Sequence, residues 1–247
     1  MLLIKIFLPA ILYALALALT GPWGTIKWRR ALLFFGAGIV SVTILRGFWF
    51  LIWDWGEPVE FWLRVVKAAW LEEVAKWMAF WMAWRALPER SPHPWQVMFY
   101  MAITALGFAT VENMEYVTRM GQGVLPGRLI TSTVMHQVFG MITGYWVATG
   151  SIRLRKGRSV FSVVTSKRPI IKRLVYWVIA VSAATGFHAL YNWNLYQQGA
   201  STDTILWLII LIGLWASFQM KRALLQTWQA RKGVEGILKS RARHGDK

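Results

Sequence analysis

Seven apolar runs divide this 247-residue chain, near 3–20, 31–53, 60–86, 95–118, 128–150, 172–196 and 203–221. A helix of about 20 apolar residues crosses the ~30 Å hydrocarbon layer of a bilayer. Backbone in lipid must satisfy its own hydrogen bonds, which leaves helices and closed barrels as the spanning structures. Runs of this length with helical spacing predict an all-α fold, a polytopic membrane helix bundle of about seven transmembrane helices. With 56% hydrophobic residues and 17 Trp, the chain has no room for a separate soluble domain. The expected division is a transmembrane bundle over 1–222 and a basic cytoplasmic tail over 223–247.

The net charge of +17 would suit nucleic acid if the basic residues formed a folded patch. They fall instead between and after the apolar runs. Lys27, Arg29 and Arg30 follow the first run, Arg85 and Arg90 the third. Arg153, Arg155, Lys156, Arg158, Lys167 and Arg168 follow the fifth, and Lys221, Arg222 and the tail end the seventh. The alternate loops hold Asp54, Glu57 and Glu60, then Arg119 and Arg128, then Asp203. By the positive-inside rule this places the N-terminus outside and the C-terminus in the cytoplasm. The basic loops are expected to meet anionic lipid headgroups, and no nucleic-acid partner is expected. The first run, with Lys5 ahead of it, resembles a signal peptide. Its cleavage would leave Lys27, Arg29 and Arg30 on the wrong side, so it is read as a retained span. The absence of Cys excludes disulfides, thiolate nucleophiles and Cys-ligated metal.

Four polar clusters interrupt the apolar runs: Glu72-Glu73 with Lys76, Glu112-Asn113, His136, and His188 with Asn192. An ionisable group at mid-membrane costs about 2.5–3.5 kcal/mol on insertion scales, so it needs a partner or a task. At about 1.5 Å per residue, Glu72 and Glu73 lie roughly 18–20 Å below the outer end of their span. Glu112, His136 and His188 lie roughly 9–13 Å below theirs. One shared polar site inside the bundle is expected. Glu72 and Lys76, four apart, are expected to pair on one helix face, and Asn113 is expected to hydrogen-bond between helices. Gly140, Gly144 and Gly186 are expected at close helix approaches.

These groups suit peptide hydrolysis. A carboxylate takes a proton from attacking water, and imidazole and amide groups donate to a developing oxyanion. The same set would also hold a divalent metal such as zinc, through Glu73, Glu112, His136 and His188, with an open position for substrate. Buried Glu and His would alternatively relay protons in a proton- or cation-coupled transporter. His136 and His188 would also serve a bis-His haem, which leaves Glu72-Glu73 unexplained. A catalytically silent scaffold is the remaining alternative.

Glu72-Glu73-Val74-Ala75-Lys76, Phe108-Ala109-Thr110-Val111-Glu112-Asn113, His136-Gln137-Val138-Phe139-Gly140 and His188-Ala189-Leu190-Tyr191-Asn192 together resemble the PrsW family of intramembrane proteases. That family is related to the CAAX-processing and bacteriocin-processing membrane proteases. The segments occur in the family's order, on separate predicted helices, over residues 72–192. The resemblance implies an endopeptidase that cleaves a membrane-anchored, single-pass protein near the outer face, as family members do to an anti-sigma factor. It implies that Glu72 or Glu73 activates water with help from His136 and Glu112, and that His188 and Asn192 stabilise the oxyanion. CAAX-type relatives carry His where this chain has Glu112, which leaves open both the role of Glu112 and the choice between glutamate-type and metallo-type chemistry.

Overall fold

The computed structural model describes residues 2–21, 26–53, 60–87, 93–151, 170–197, 206–226 and 229. Its elements are α1 (Leu2–Leu19), α2 (Trp28–Trp53), α3 (Phe61–Arg85), α4 (Pro94–Met120), α5 (Leu125–Ile130), α6 (Ser132–Ser151) and α7 (Ile170–Tyr196). The last is α8 (Leu206–Gln226). The described residues are helical apart from short turns, so the bundle is all-α, as the apolar runs predict. It is a multi-pass membrane protein.

Five helices (α1, α2, α4, α7 and α8) are long and apolar enough to cross a membrane on their own. The other two long helices, α3 and α6, bring Glu72, Glu73, Lys76 and His136 into the bundle. Their 25 and 20 residues still reach about 37 and 30 Å.

Pro94 opens α4 at the first helical position, where its missing N–H costs nothing. His93 caps the helix, its ring accepting from Trp95 N at 3.2 Å while Gln96 accepts from His93 N at 3.0 Å. Of α4's apolar span 89% is buried, against 17% for α1 and 33% for α2, α7 and α8, so α4 is the axis of the bundle. It packs against α1, α2, α3 and α6, and α7 closes the ring by packing against α3 and α6. At α4's end Gly121 takes a left-handed φ of 85°, open to glycine without steric cost. The chain then turns through Gln122–Val124 into the short α5.

Gly140 and Gly144 lie where α6 crosses α4. A Cβ at Gly140 would sit 2.8 Å from Ala102 Cα, and one at Gly144 2.6 Å from Met98 Cα. The expected close approach is therefore real at both positions. Gly186 differs: nothing lies within 4 Å of its would-be Cβ, so it is not a packing glycine. The fifth predicted span also differs, because the helix breaks at Thr131, and Arg128 belongs to α5 rather than to the span. α8 runs to Gln226. Beyond that helix the basic tail lies outside the described residues, as do most of the loop charges used for orientation.

Candidate active site

α3, α4, α6 and α7 each turn a polar face toward the bundle interior, because lipid offers those side chains no solvation. Glu72, Glu73, Lys76, Glu112, Asn113, His136 and His188 are all buried. Counted from the observed helix ends nearest the site, Glu72 lies about 17 Å along α3. Glu112 and His188 lie about 12 Å along α4 and α7, and His136 about 6 Å along α6.

The groups form a chain of contacts. Glu73 Oε1 accepts from Lys76 Nζ at 2.6 Å and from His188 Nδ1 at 2.8 Å. Lys76 Nζ also donates to His136 Nδ1 at 2.9 Å, and it lies 4.5 Å from the Phe108 ring centroid. His136 Nε2 faces Glu112 Oε2 at 2.9 Å. The same oxygen accepts from Arg128 Nη2 at 2.7 Å. Asn113 joins the far end of the chain, donating to Thr133 on α6 at 2.8 Å and accepting from Arg128 Nε at 2.8 Å.

The partner of Lys76 is thus Glu73, three residues away, and not Glu72 as the i,i+4 spacing suggested. Both spacings lie on one helix face. The choice follows from the surroundings: Glu73 points inward toward His188, while Glu72 points toward a cavity. That cavity measures about 850 Å³. It is lined by Arg46, Glu72, Glu112, His136, His188 and Asn192, among others. Glu73 and Lys76 lie behind its wall, both fully buried. Near the mouth, Arg46 on α2 pairs with Glu115 on α4 at 3.0 Å.

Two carboxylate oxygens, Glu72 Oε2 and Glu73 Oε2, are buried without a hydrogen-bond partner among the described residues. The His188 Nδ1 proton goes to Glu73, so in the neutral ring the Nε2 lone pair faces outward. It points at Glu72 Oε2 across 3.7 Å. Two electron-rich atoms at that separation call for something electropositive between them. Glu72, His136 and His188 offer ligand atoms that all lie within 4.8 Å of one another. That donor set fits a divalent metal such as zinc, and the contact from Glu73 to His188 is the kind that orients a metal-binding imidazole. His136 would have to exchange one of its two present contacts to ligate. Of Glu73 and Glu112, also expected among the ligands, one oxygen each is engaged: Glu73 Oε1 by Lys76 and His188, and Glu112 Oε2 by His136 and Arg128. The rings of His136 and His188 stand edge to face at 5.2 Å, which leaves no slot between them for a porphyrin.

The family of intramembrane metalloproteases named PrsW matches the chain over residues 25–218, from just ahead of α2 into α8. The chain belongs to the PrsW family. The match covers all four polar segments. The Protease PrsW of Geobacillus kaustophilus (strain HTA426) is 26% identical over 124 residues, 50% of this chain and 54% of that protein. The chain therefore spans about half the length of this curated relative. No solved structure matches it.

The four segments that resemble PrsW proteins do converge, with Asn192 half-buried in the cavity wall. Sequence reasoning missed Arg128, Ser132 and Thr133. A signal was present: Arg128 lies in a loop that the charge pattern puts on the outer side, where positive charge is disfavoured.

Proposed function

We propose that this PrsW-family protein is an intramembrane endopeptidase that cuts a membrane-anchored, single-pass protein near the outer face of the bilayer. The substrate is envisaged as anti-sigma-factor-like, with the N-terminus of the enzyme outside and its C-terminus cytoplasmic. The observation that carries this reading is the cavity edged by Glu72, His136 and His188, with fully buried Glu73 and Lys76 behind it.

Glu72 lines the cavity and its Oε2 has no hydrogen-bond partner among the described residues, so it accepts the proton of the attacking water. Glu73 holds His188 through Nδ1 and keeps its other ring nitrogen directed at the cavity. The Asn192 side-chain amide donates to the oxyanion as the carbonyl becomes tetrahedral. Glu112 holds His136 from the other side. In the metal-assisted form of the reaction, Glu72, His136 and His188 would instead hold the metal, which would supply Lewis-acid polarisation of the carbonyl and a more acidic water. The substrate's helix unwinds at its outer end, because a peptide bond within a helix is closed to attack. The transporter reading gains nothing from the comparisons.

The test is co-expression with candidate single-pass proteins from the same genome, scored by fragment release on immunoblots. Glu72→Gln, His136→Ala and His188→Ala should each abolish release while folded protein remains. Cleavage surviving in all three variants would refute the assignment.

A further inference from the structure

Arg128 stands on α5, six residues long, yet its side chain is only 13% exposed. A basic residue that merely ended a helix at the membrane surface would point to water. This one folds back over the ring of Tyr116, its guanidinium carbon 3.6 Å from the centroid. One planar head then serves three acceptors on two helices. Nε donates to Asn113 Oδ1 at 2.8 Å, and Nη2 donates to Glu112 Oε2 at 2.7 Å and to Ser132 Oγ at 3.1 Å. Lysine has no such fork.

The backbone carrying Arg128 is fixed as closely as its side chain. Its carbonyl accepts from Thr133 Oγ1 at 3.2 Å, and that hydroxyl accepts from Asn113. Tyr13 on α1 donates to Leu129 O at 2.9 Å, and Tyr191 on α7 donates to Thr131 Oγ1 at 3.0 Å. Leu125 packs with Ile6 and Val117. Four helices thus hold a one-turn segment in place around a single arginine.

The consequence lies one contact further in. An ammonium has only protons to give, so the His136 Nδ1 facing Lys76 is an acceptor. The ring proton must then sit on Nε2, where Glu112 Oε2 takes it. That oxygen is the one Arg128 grips. We infer that Arg128 is a positioning residue: it locks the Glu112 carboxylate, which fixes the tautomer and rotation of His136 at the cavity wall. The kinetic half of this inference rests on the peptidase reading; the structural half does not.

The chain has four His, namely His93, His136, His188 and His244, so ring nitrogens can be followed one by one. ¹⁵N-histidine NMR on the full chain in nanodiscs, with the His136 signals assigned from a His136→Gln variant, should show a neutral Nε2–H ring at His136. In Arg128→Gln those signals should shift or exchange-broaden while those of His93 stay. With the single-pass substrate found by co-expression, kcat should fall about 10–100-fold, the usual loss for an outer supporting partner, with KM within about twofold. Added methylguanidinium should restore part of kcat. Arg128→Lys keeps the Glu112 contact only, so it should give smaller shifts and an intermediate kcat; it carries the test if Arg128→Gln does not fold. Unchanged His136 signals in a folded variant would overturn the inference, as would a raised KM with kcat intact, which marks a substrate-binding arginine. Cleavage absent from the wild type would sink the peptidase reading and leave the NMR result standing.

Discussion

Replacing Lys76 by Met should be among the most costly single changes in the bundle. Lys76 is fully buried, and its ammonium serves Glu73 at 2.6 Å and His136 at 2.9 Å. Methionine fills similar space but strands the fully buried Glu73 carboxylate without its cation. Breaking one side of a buried ion pair typically costs about 3–5 kcal/mol, a large share of the about 5–15 kcal/mol that holds a typical domain together. Glu73→Gln should cost a similar amount, because it strands the ammonium. If the two changes were independent, the double variant would lose about 6–10 kcal/mol and would not fold. The structure argues otherwise. Once both charges are gone, the remaining loss is the donor to His136 Nδ1, about 1–3 kcal/mol for a buried acceptor left unpaired. Lys76→Met with Glu73→Gln should therefore be no less stable than either single variant. Unfolding titrations in mixed micelles, run as a double-mutant cycle, measure this directly. Additive losses, or a Lys76→Met variant as stable as wild type, would refute the claim that this pair is buried and coupled.

Other consequences can be checked on the same preparations. Gly140→Leu should lower stability by about 1–3 kcal/mol through overpacking against Ala102, while Gly186→Ala, which meets nothing within 4 Å, should be neutral in thermal melts. Tyr13→Phe removes a donor to Leu129 O and should cost about 1 kcal/mol. Glu72→Gln should lower the zinc content of purified protein by mass spectrometry with little loss of fold, because Glu72 Oε2 has no hydrogen-bond partner among the described residues to lose; unchanged metal content would remove Glu72 from the ligand set.

The bundle was legible because lipid makes hydrophobic runs unambiguous, and the helix limits at α1, α3 and α7 fall within a few residues of the runs that announced them. The convergence of Glu72, Glu112, His136 and His188 was legible for the complementary reason, since a charge in a span has nowhere else to go. The division of labour between Glu72 and Glu73 was not. Adjacent helical positions differ by about 100°, and spacing to Lys76 alone favoured Glu72. Only the position of α7 shows that Glu73 faces His188 while Glu72 faces the cavity. Arg128 was hidden by a different ambiguity. A break of one residue at Thr131 decides whether it begins a span or folds back into the site, and helix boundaries are the least secure feature of a sequence pattern.

The charges of the site also explain why the cavity sits where it does. In the buried contact chain three carboxylates, Glu72, Glu73 and Glu112, face two cationic side chains, Lys76 and Arg128, while Arg46, paired with Glu115, and Arg119 stand at the cavity wall. Lys76 is spent on Glu73 and Arg128 on Glu112. Each cation also lies over an aromatic ring, Lys76 over Phe108 and Arg128 over Tyr116. Among the described residues Glu72 has no Lys or Arg ion pair, only the His188 Nε2 contact at 3.7 Å, and it is the carboxylate of the Glu72-Glu73 pair that reaches the cavity. Such a group is tolerable in a membrane only where water or a cation can reach it. The acids paired with Lys76 and Arg128 thus form the frame, and the one without such a partner is where chemistry can occur. A substitution that gave Glu72 its own cation, such as Ala68→Arg one turn earlier on α3 at the cavity wall, should leave the fold in place and silence the site. Cleavage by a folded Ala68→Arg variant at the wild-type rate would show that the leftover charge is not what the reaction uses.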